Sequence, residues 1–281
     1  PASFGSTADA VAVMTLDVQI RAKTYPSRTP GKDHVAIADL DFSVPEGQFT
    51  CIVGPSGCGK TTMLNIVSGL EREVDGAVSL NGKPTDEAHL GYMFQTPRLM
   101  PWLTVLENVR LVIDGPGNGE KGDEELARHL LEEMDLGDVM DAFPNRLSGG
   151  MMRRVALARA FVIKPRLLLM DEPFISLDEP VAKRLRELLL AIWNERPTTV
   201  LFITHDLSEA LFLADSILFM SPSPGRIVHD YTVPLARPRV KLTSDDIHNL
   251  RQSLLKEHPD LLTGLIGVGE EERKHTERQH P

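Results

Sequence analysis

Hydrophobic positions along the chain switch between two periods, and the switches mark its elements. Alternation from Met14 to Ile20 predicts a strand, and Tyr25 to Lys32, with two prolines and a glycine, reads as turn-rich. The run Phe49-Thr50-Cys51-Ile52-Val53 predicts a buried strand that ends where glycines begin. Met63, Leu64, Ile66, Val67 and Leu70 then fall at helical spacing, with Gly69 near the end, so a glycine-rich loop joins a strand to a helix.

The pattern changes between Arg98 and Arg146. A Gly-rich break at Asp114 to Gly122 precedes an amphipathic helix carrying Leu126, Leu130, Leu131 and Met134, and residues of about 98–162 are read as a helical insertion in an α/β domain. Strand Arg166 to Met170, a long helix over Ala182 to Trp193, strand Thr199 to Ile203, a helix from Ser208 and strand Ile217 to Met220 follow. Such alternation predicts a largely parallel sheet with helices on both faces. Residues 1–13 read as a loose lead-in, 14–234 as the main domain and 235–281 as an extension. In the extension, Thr243 with Asp246 forms a capping-box pattern ahead of one apolar stripe, Ile247, Leu250, Leu254 and Leu255, until Pro259 stops the helix. Glu270 to Pro281 is charged, lacks periodicity and is expected to be disordered. There is no internal repeat.

Composition narrows the class of partner. The formal charge of -10 argues against nucleic-acid binding, which needs a clustered Lys/Arg surface. Two cysteines, Cys51 and Cys58, are too few for a disulfide scaffold and favour a reducing compartment. No stretch reaches the roughly 18 apolar residues of a membrane span, and Pro1 to Asp9 has neither the basic nor the apolar region of a signal peptide, so a cytosolic chain, recruited by a partner if at all, is expected. His258, His275 and His280 lack tight ligand spacing, and no metal is assigned to them.

Two motifs carry chemistry. Gly54-Pro55-Ser56-Gly57-Cys58-Gly59-Lys60-Thr61, followed by Thr62, matches G-x-x-x-x-G-K-[ST]. Its glycines let backbone N–H groups converge on phosphates, and the following helix points its positive end at the same anion. Lys60 is then expected to bridge the β- and γ-phosphates of ATP, and the Thr61 hydroxyl to hold Mg²⁺. The second motif, Leu167-Leu168-Leu169-Met170-Asp171-Glu172-Pro173, places two acids at a strand end, where a parallel sheet has its ligand crevice. Asp171 is expected to anchor Mg²⁺ and Glu172 to polarise the attacking water. Alone, Asp-Glu-Pro also reads as a surface turn; the phosphate loop upstream favours the site. Cys58 lies inside the loop, so alkylation is expected to inhibit and ATP to protect.

Leu147-Ser148-Gly149-Gly150-Met151, leading into a helix, makes the pattern specific. From about Met14 to Pro234 the chain resembles the nucleotide-binding subunit of an ABC transporter. That resemblance implies a P-loop NTPase core with an inserted helical subdomain and an antiparallel β subdomain. It implies that the Leu147 to Met151 signature contacts ATP held by a second subunit, that Gln95 is the Q-loop glutamine contacting Mg²⁺ and water, that Ser176-Leu177-Asp178 is the D-loop, and that His205 contacts the γ-phosphate. Tyr25 fits the aromatic residue that stacks on adenine, although it also reads as an ordinary core or surface tyrosine. Met151 stands where glutamine often closes the signature, and Ile175 where a small residue often precedes the D-loop serine.

Leu99-Met100-Pro101-Trp102-Leu103-Thr104-Val105, Thr204-His205-Asp206-Leu207-Ser208-Glu209-Ala210 and Met220-Ser221-Pro222-Ser223-Pro224-Gly225-Arg226-Ile227, followed by Pro234 to Arg239, are similar to the branch serving nitrate, sulfonate and taurine importers. The resemblance implies a homodimer or heterodimer of ATPase subunits, transmembrane permease subunits, a solute-binding protein acting indirectly, and a place at the cytoplasmic face of the inner membrane. Pro101, Trp102 and Leu103 would accept a coupling helix of the permease; Trp102 as an ordinary core residue is the alternative. An importer of another solute, a lipid transporter and a non-transport ABC ATPase remain open. So do three placements of the tail helix: packed on its own domain, on the other subunit, or on a regulator.

Overall fold

The architecture comes from a computed structural model that describes residues 15–27, 33–85, 89–113, 123–237, 239 and 242–266. The expected lead-in at 1–13, the Gly-rich break at 114–122 and the charged tail at 270–281 lie outside the described residues.

The first two strands, β1 (Thr15–Tyr25) and β2 (His34–Pro45), pair antiparallel over nearly their whole length. After β3 (Phe49–Val53) come α1 (Lys60–Val67), β4 (Asp75–Leu80), the two-residue β5 (Lys83–Pro84) and β6 (Leu90–Met93). Helices α2 (Val105–Ile113), α3 (Asp123–Glu133) and α4 (Gly149–Phe161) then pack on one another, and α4 also covers β6. The chain continues through β7 (Leu167–Asp171), α5 (Glu179–Glu195), β8 (Thr199–Thr204), α6 (Leu207–Leu213), β9 (Ser216–Met220), β10 (Ile227–Thr232) and α7 (Ser244–Glu257).

Two sheets result. An antiparallel sheet has the order β2-β1-β4-β5, and a six-stranded sheet the order β10-β9-β3-β8-β7-β6. In the second sheet β9, β3, β8, β7 and β6 run parallel, with β10 antiparallel at one edge. Every residue of β3, β7, β8 and β9 is buried, which is why their sequences read as continuous apolar runs.

The period of two along these strands divides the core. Phe49, Cys51, Val53, Leu168, Met170, Val200 and Phe202 face the helices α2 to α7, while Ile52, Leu167, Leu169, Leu201 and Ile203 face α1 and the antiparallel sheet. Burying both faces is what fixes the register and holds the strand ends in one line.

Sequence and structure part at the start of the chain. The strand expected to end at Ile20 runs to Tyr25, with bulges after Ile20 and Lys23 that break the alternation, and β2 was not anticipated. Lys23 points inward, 4% exposed, and is satisfied by Glu71 at 3.1 Å and the Glu73 carbonyl at 2.6 Å. The expected tail helix forms with its capping box: Thr243 Oγ1 accepts from the Asp246 amide and the Asp246 carboxylate from the Thr243 amide. Its Ile247 and Leu254 are buried and it packs on α6, the first of the three placements left open.

Candidate functional site

Parallel strands place their C-terminal ends along one edge, and the expected site residues gather there. Gly54 to Gly59 follow β3, Gln95 follows β6, Glu172 follows β7 and His205 follows β8. An open parallel sheet binds its ligands at that edge.

The glycines of the loop have separate tasks. Gly57 sits at φ 77° and Gly59 at φ 100°, left-handed backbone that a side chain resists. A Cβ at Gly59 would also stand 2.8 Å from the Ala36 carbonyl oxygen of β2. Lys60 is buried at 7% exposure, and its ammonium donates to the carbonyls of Gly54 and Pro55, each at 2.8 Å, with Cys58 Sγ 3.7 Å away. The lysine therefore lies folded back on the loop, its ammonium held by the loop's own carbonyls.

Thr61 Oγ1 donates to Asp171 Oδ2 at 2.8 Å. Asp171 is 5% exposed, and burial pushes its carboxyl up from the ordinary value, with the Glu172 charge adding to the effect while Thr61 and Lys60 oppose it. A hydroxyl and a buried, incompletely compensated carboxylate form a hard-oxygen pair of the type that suits Mg²⁺. Glu172 adopts φ 43°, unusual for a residue with a side chain, and its Oε2 lies 3.4 Å from Nδ1 of His205. His205 is 61% exposed on its side chain. Glu172 and His205 line a cavity of 170 Å³ together with Ser176 and Leu177. A larger cavity of 350 Å³ lies between α5, α6 and α7 and shares Glu179, Arg186, Asp206 and Glu209 with it.

Tyr25 ends β1 beside the loop rather than in a turn: its hydroxyl is 3.5 Å from Thr62 Oγ1 and from Glu71 Oε2, and Lys23 Nζ stands 4.7 Å from the ring centroid. Gln95 is exposed, and its side chain makes no hydrogen bond to Thr61 or Asp171 among the described residues. Pro55, Ser56 and Thr62 fill the rest of the loop. Ser176 has φ 63°, Leu177 is half-buried, and Asp178 is the N-cap of α5.

The signature residues lie apart. Ser148 caps α4, accepting from the Met151 amide at 3.2 Å. Ser148 and Gly149 are exposed, nothing stands within 4 Å of a Cβ placed on Gly149, and Leu147 to Met151 form no hydrogen bond with residues 54–62 among the described residues. The expectation that Cys58 is open to alkylation is corrected: it is 1% exposed, and burial pushes its thiol up.

The chain resembles known proteins in sequence and in fold. Residues 37–175 match the protein family described as ABC transporter. The chain is 42% identical over 241 residues to the aliphatic sulfonates import ATP-binding protein SsuB 2 of Burkholderia lata, covering 85% of each chain. The chain belongs to the ABC transporter family. Within that family it is also 42% identical to the bicarbonate transport ATP-binding protein CmpD of Synechocystis sp., over 80% of each chain, and 41% identical to the nitrate import ATP-binding protein NrtD of Synechococcus elongatus, over 83% of this chain and 86% of that one. Among solved structures, an ATP-binding cassette in a dimeric post-hydrolysis state bound to ADP and Pi superposes with a TM-score of 0.68 at 30% identity, covering 79% of this chain and 100% of that one. The resemblance drawn from residues 147–151 and the P-loop fold it implied are borne out.

Two residues of this ABC protein have roles that only their backbone contacts explain. A Cβ on Gly225 would stand 2.1 Å from the Cys58 carbonyl oxygen, so only glycine lets that segment bridge β2 and the phosphate loop. Asn108, fully buried, accepts from the Met100 amide and donates to the carbonyls of Met100, Leu103 and Thr104, fixing the loop on which Trp102 stands 69% exposed. Trp102 is thus not a core residue.

Proposed function

We propose that this chain is the ATP-binding, ATP-hydrolysing subunit that energises a membrane importer for a small anion. The observation that carries this reading is the convergence of Lys60, Thr61, Asp171, Glu172 and His205 at the ends of adjacent parallel strands, with Thr61 and Asp171 already joined at 2.8 Å. Relatives named for sulfonate, bicarbonate and nitrate transport favour an anionic solute.

In this reading the amides of Gly54 to Thr62, with Pro55, Ser56 and Cys58 shaping the turn, surround the phosphates of ATP. Lys60 exchanges its two carbonyl partners for phosphate oxygens. Thr61, Asp171 and Gln95 hold Mg²⁺, which when bound supplies charge neutralisation at the phosphates. Glu172 orients and polarises the attacking water, and His205, 3.4 Å away, holds Glu172 and the γ-phosphate in line. Tyr25 flanks the adenine from beside Thr62.

The open signature completes the site in trans. Leu147, Ser148, Gly149, Gly150 and Met151 make no hydrogen bond to their own loop among the described residues and contact ATP bound to a second subunit, with Ser176, Leu177 and Asp178 at the junction. Two nucleotides then lie between two chains, and their hydrolysis lets the chains part. Exposed Trp102, with Pro101 and Leu103, receives the permease, and so the subunit sits at the cytoplasmic face of the inner membrane; a solute-binding protein acts only through the permease, and nucleic acid has no part.

Phosphate release from Mg-ATP tests the reading. The purified chain releases phosphate, Lys60→Ala and Glu172→Gln do not, and in vesicles with its permease the rate rises with sulfonate, nitrate or bicarbonate. No release from Mg-ATP by the unaltered chain would overturn it.

A further inference from the structure

Arg153 stands in the second turn of α4, five residues after Ser148. Its Nη1 donates to the carbonyls of Gln95 at 3.0 Å and Pro173 at 2.9 Å, and its Nη2 donates to the carbonyl of Ile175 at 2.7 Å. These belong to three different parts of the site: the Q-loop glutamine, the residue after Glu172 and the residue before Ser176. No carboxylate pairs with Arg153 among the described residues. Within the described residues its charge is met by carbonyl dipoles, and a planar guanidinium, with five N–H donors in fixed directions, reaches three acceptors on two loops as no other side chain does.

Two neighbouring features give this contact mechanical meaning. The turn that Arg153 holds is bounded by left-handed backbone, φ 43° at Glu172 and φ 63° at Ser176, a shape that persists only where its surroundings enforce it. The Q-loop is fastened to α4 a second time: Arg159 donates to the carbonyls of Pro97 at 2.7 Å and Arg98 at 3.0 Å, while the Arg98 guanidinium stands 4.2 Å from the Phe94 ring. A helix transmits displacement along its axis with little loss, and the N-terminus of this one is the exposed Ser148 and Gly149.

We propose that Arg153 is a positioning residue that ties the loop of Gln95 and the turn of Glu172 to the signature helix, so that a subunit's own nucleotide site sets where its Ser148 is presented to its partner's. This rests on the two-subunit reading above. In a subunit that has bound ATP, any shift of Gln95 or Pro173 is carried through Arg153 into α4; without it the two ends of the site move independently.

The test is ATP-driven dimerisation in the Glu172→Gln background, with and without Arg153→Met. Mant-ATP binding to the monomer should stay within about twofold, because the phosphate loop is untouched, while the ATP concentration for half-maximal dimerisation rises by about tenfold or more, the usual size of coupling between sites. In the otherwise unaltered chain, Arg153→Met should lower kcat with little change in KM, and Arg153→Lys, which keeps one donor point, should restore part of it. If Arg153→Met lowers Tm enough to impair folding, Arg153→Gln takes its place in the same measurements. Dimerisation at an unchanged ATP concentration, or an equal loss of monomer binding and dimerisation, overturns the inference. A Glu172→Gln chain that stays monomeric overturns the two-subunit reading itself, and this inference with it.

Discussion

Thr61 donates its hydroxyl across 2.8 Å to Oδ2 of Asp171, linking the helix after the phosphate loop to a strand two places away in the sheet. The bond orients a carboxylate whose pKa burial has raised. A carboxyl raised in the fold costs nothing while it is protonated; its cost grows as pH climbs from the ordinary value near 4 through the raised one. Asp171→Asn, whose amide oxygen still accepts from Thr61, should therefore melt a few degrees higher than the unaltered chain at pH 7 without Mg²⁺, and the difference should vanish in melts below about pH 4. The same variant should release phosphate from Mg-ATP at least about 100-fold more slowly. A melting difference that does not change with pH would contradict the assignment.

Arg239 is a second buried charge, 2% exposed, whose guanidinium burial lowers to about 10. It donates to the carbonyls of Leu211, Phe212 and Ala214 at the end of α6 and to Leu235, beside Asp215. Removing it strands carbonyls that α6 cannot satisfy itself. Arg239→Ala should cost about 3 kcal/mol in urea unfolding. A loss below about 1 kcal/mol would mean water replaces the arginine.

Cys58 lies in the loop but faces inward against Lys60. N-ethylmaleimide at pH 7 should label the native chain at least about tenfold more slowly than the urea-unfolded chain, because a buried thiol is neither accessible nor ionised. ATP should slow the native rate further, because labelling requires opening of the loop that ATP holds closed. Rapid native labelling, read by intact mass, would show that the loop opens.

Trp102 is exposed on a loop that buried Asn108 holds rigid. Trp102→Ala should leave Tm and the solution ATPase rate unchanged while weakening co-purification with the permease. An anchoring tryptophan contributes about 2 kcal/mol, roughly 30-fold in affinity. Undiminished co-purification would move the docking surface elsewhere.

The phosphate loop and the carboxylate pair were legible because each combines residue types with a spacing that chemistry demands, whereas the signature and His205 were legible only through the family resemblance. The buried strands were legible because both of their faces are covered. β2 was passed over although Leu40, Phe42 and Val44 alternate with Asp39, Asp41 and Ser43, a period-two signal that can be found; its neighbour β1 hides the pairing behind bulges and the inward Lys23. Arg153, Arg159 and Arg239 could not be read from sequence, because their partners are backbone carbonyls, which every residue has. Gly225 was read only as part of the Met220 to Ile227 segment, and the approach of the Cys58 carbonyl is what explains the glycine. Cys58 was misjudged because a position in a loop does not reveal which way the side chain turns.

If the site of one chain is half a site, gel filtration of Glu172→Gln with and without ATP, alongside its phosphate release, reads it out. The 31.1 kDa monomer should shift to twice that mass when ATP is present, with hydrolysis abolished. A chain that binds ATP, no longer hydrolyses it and still elutes as a monomer would contradict it.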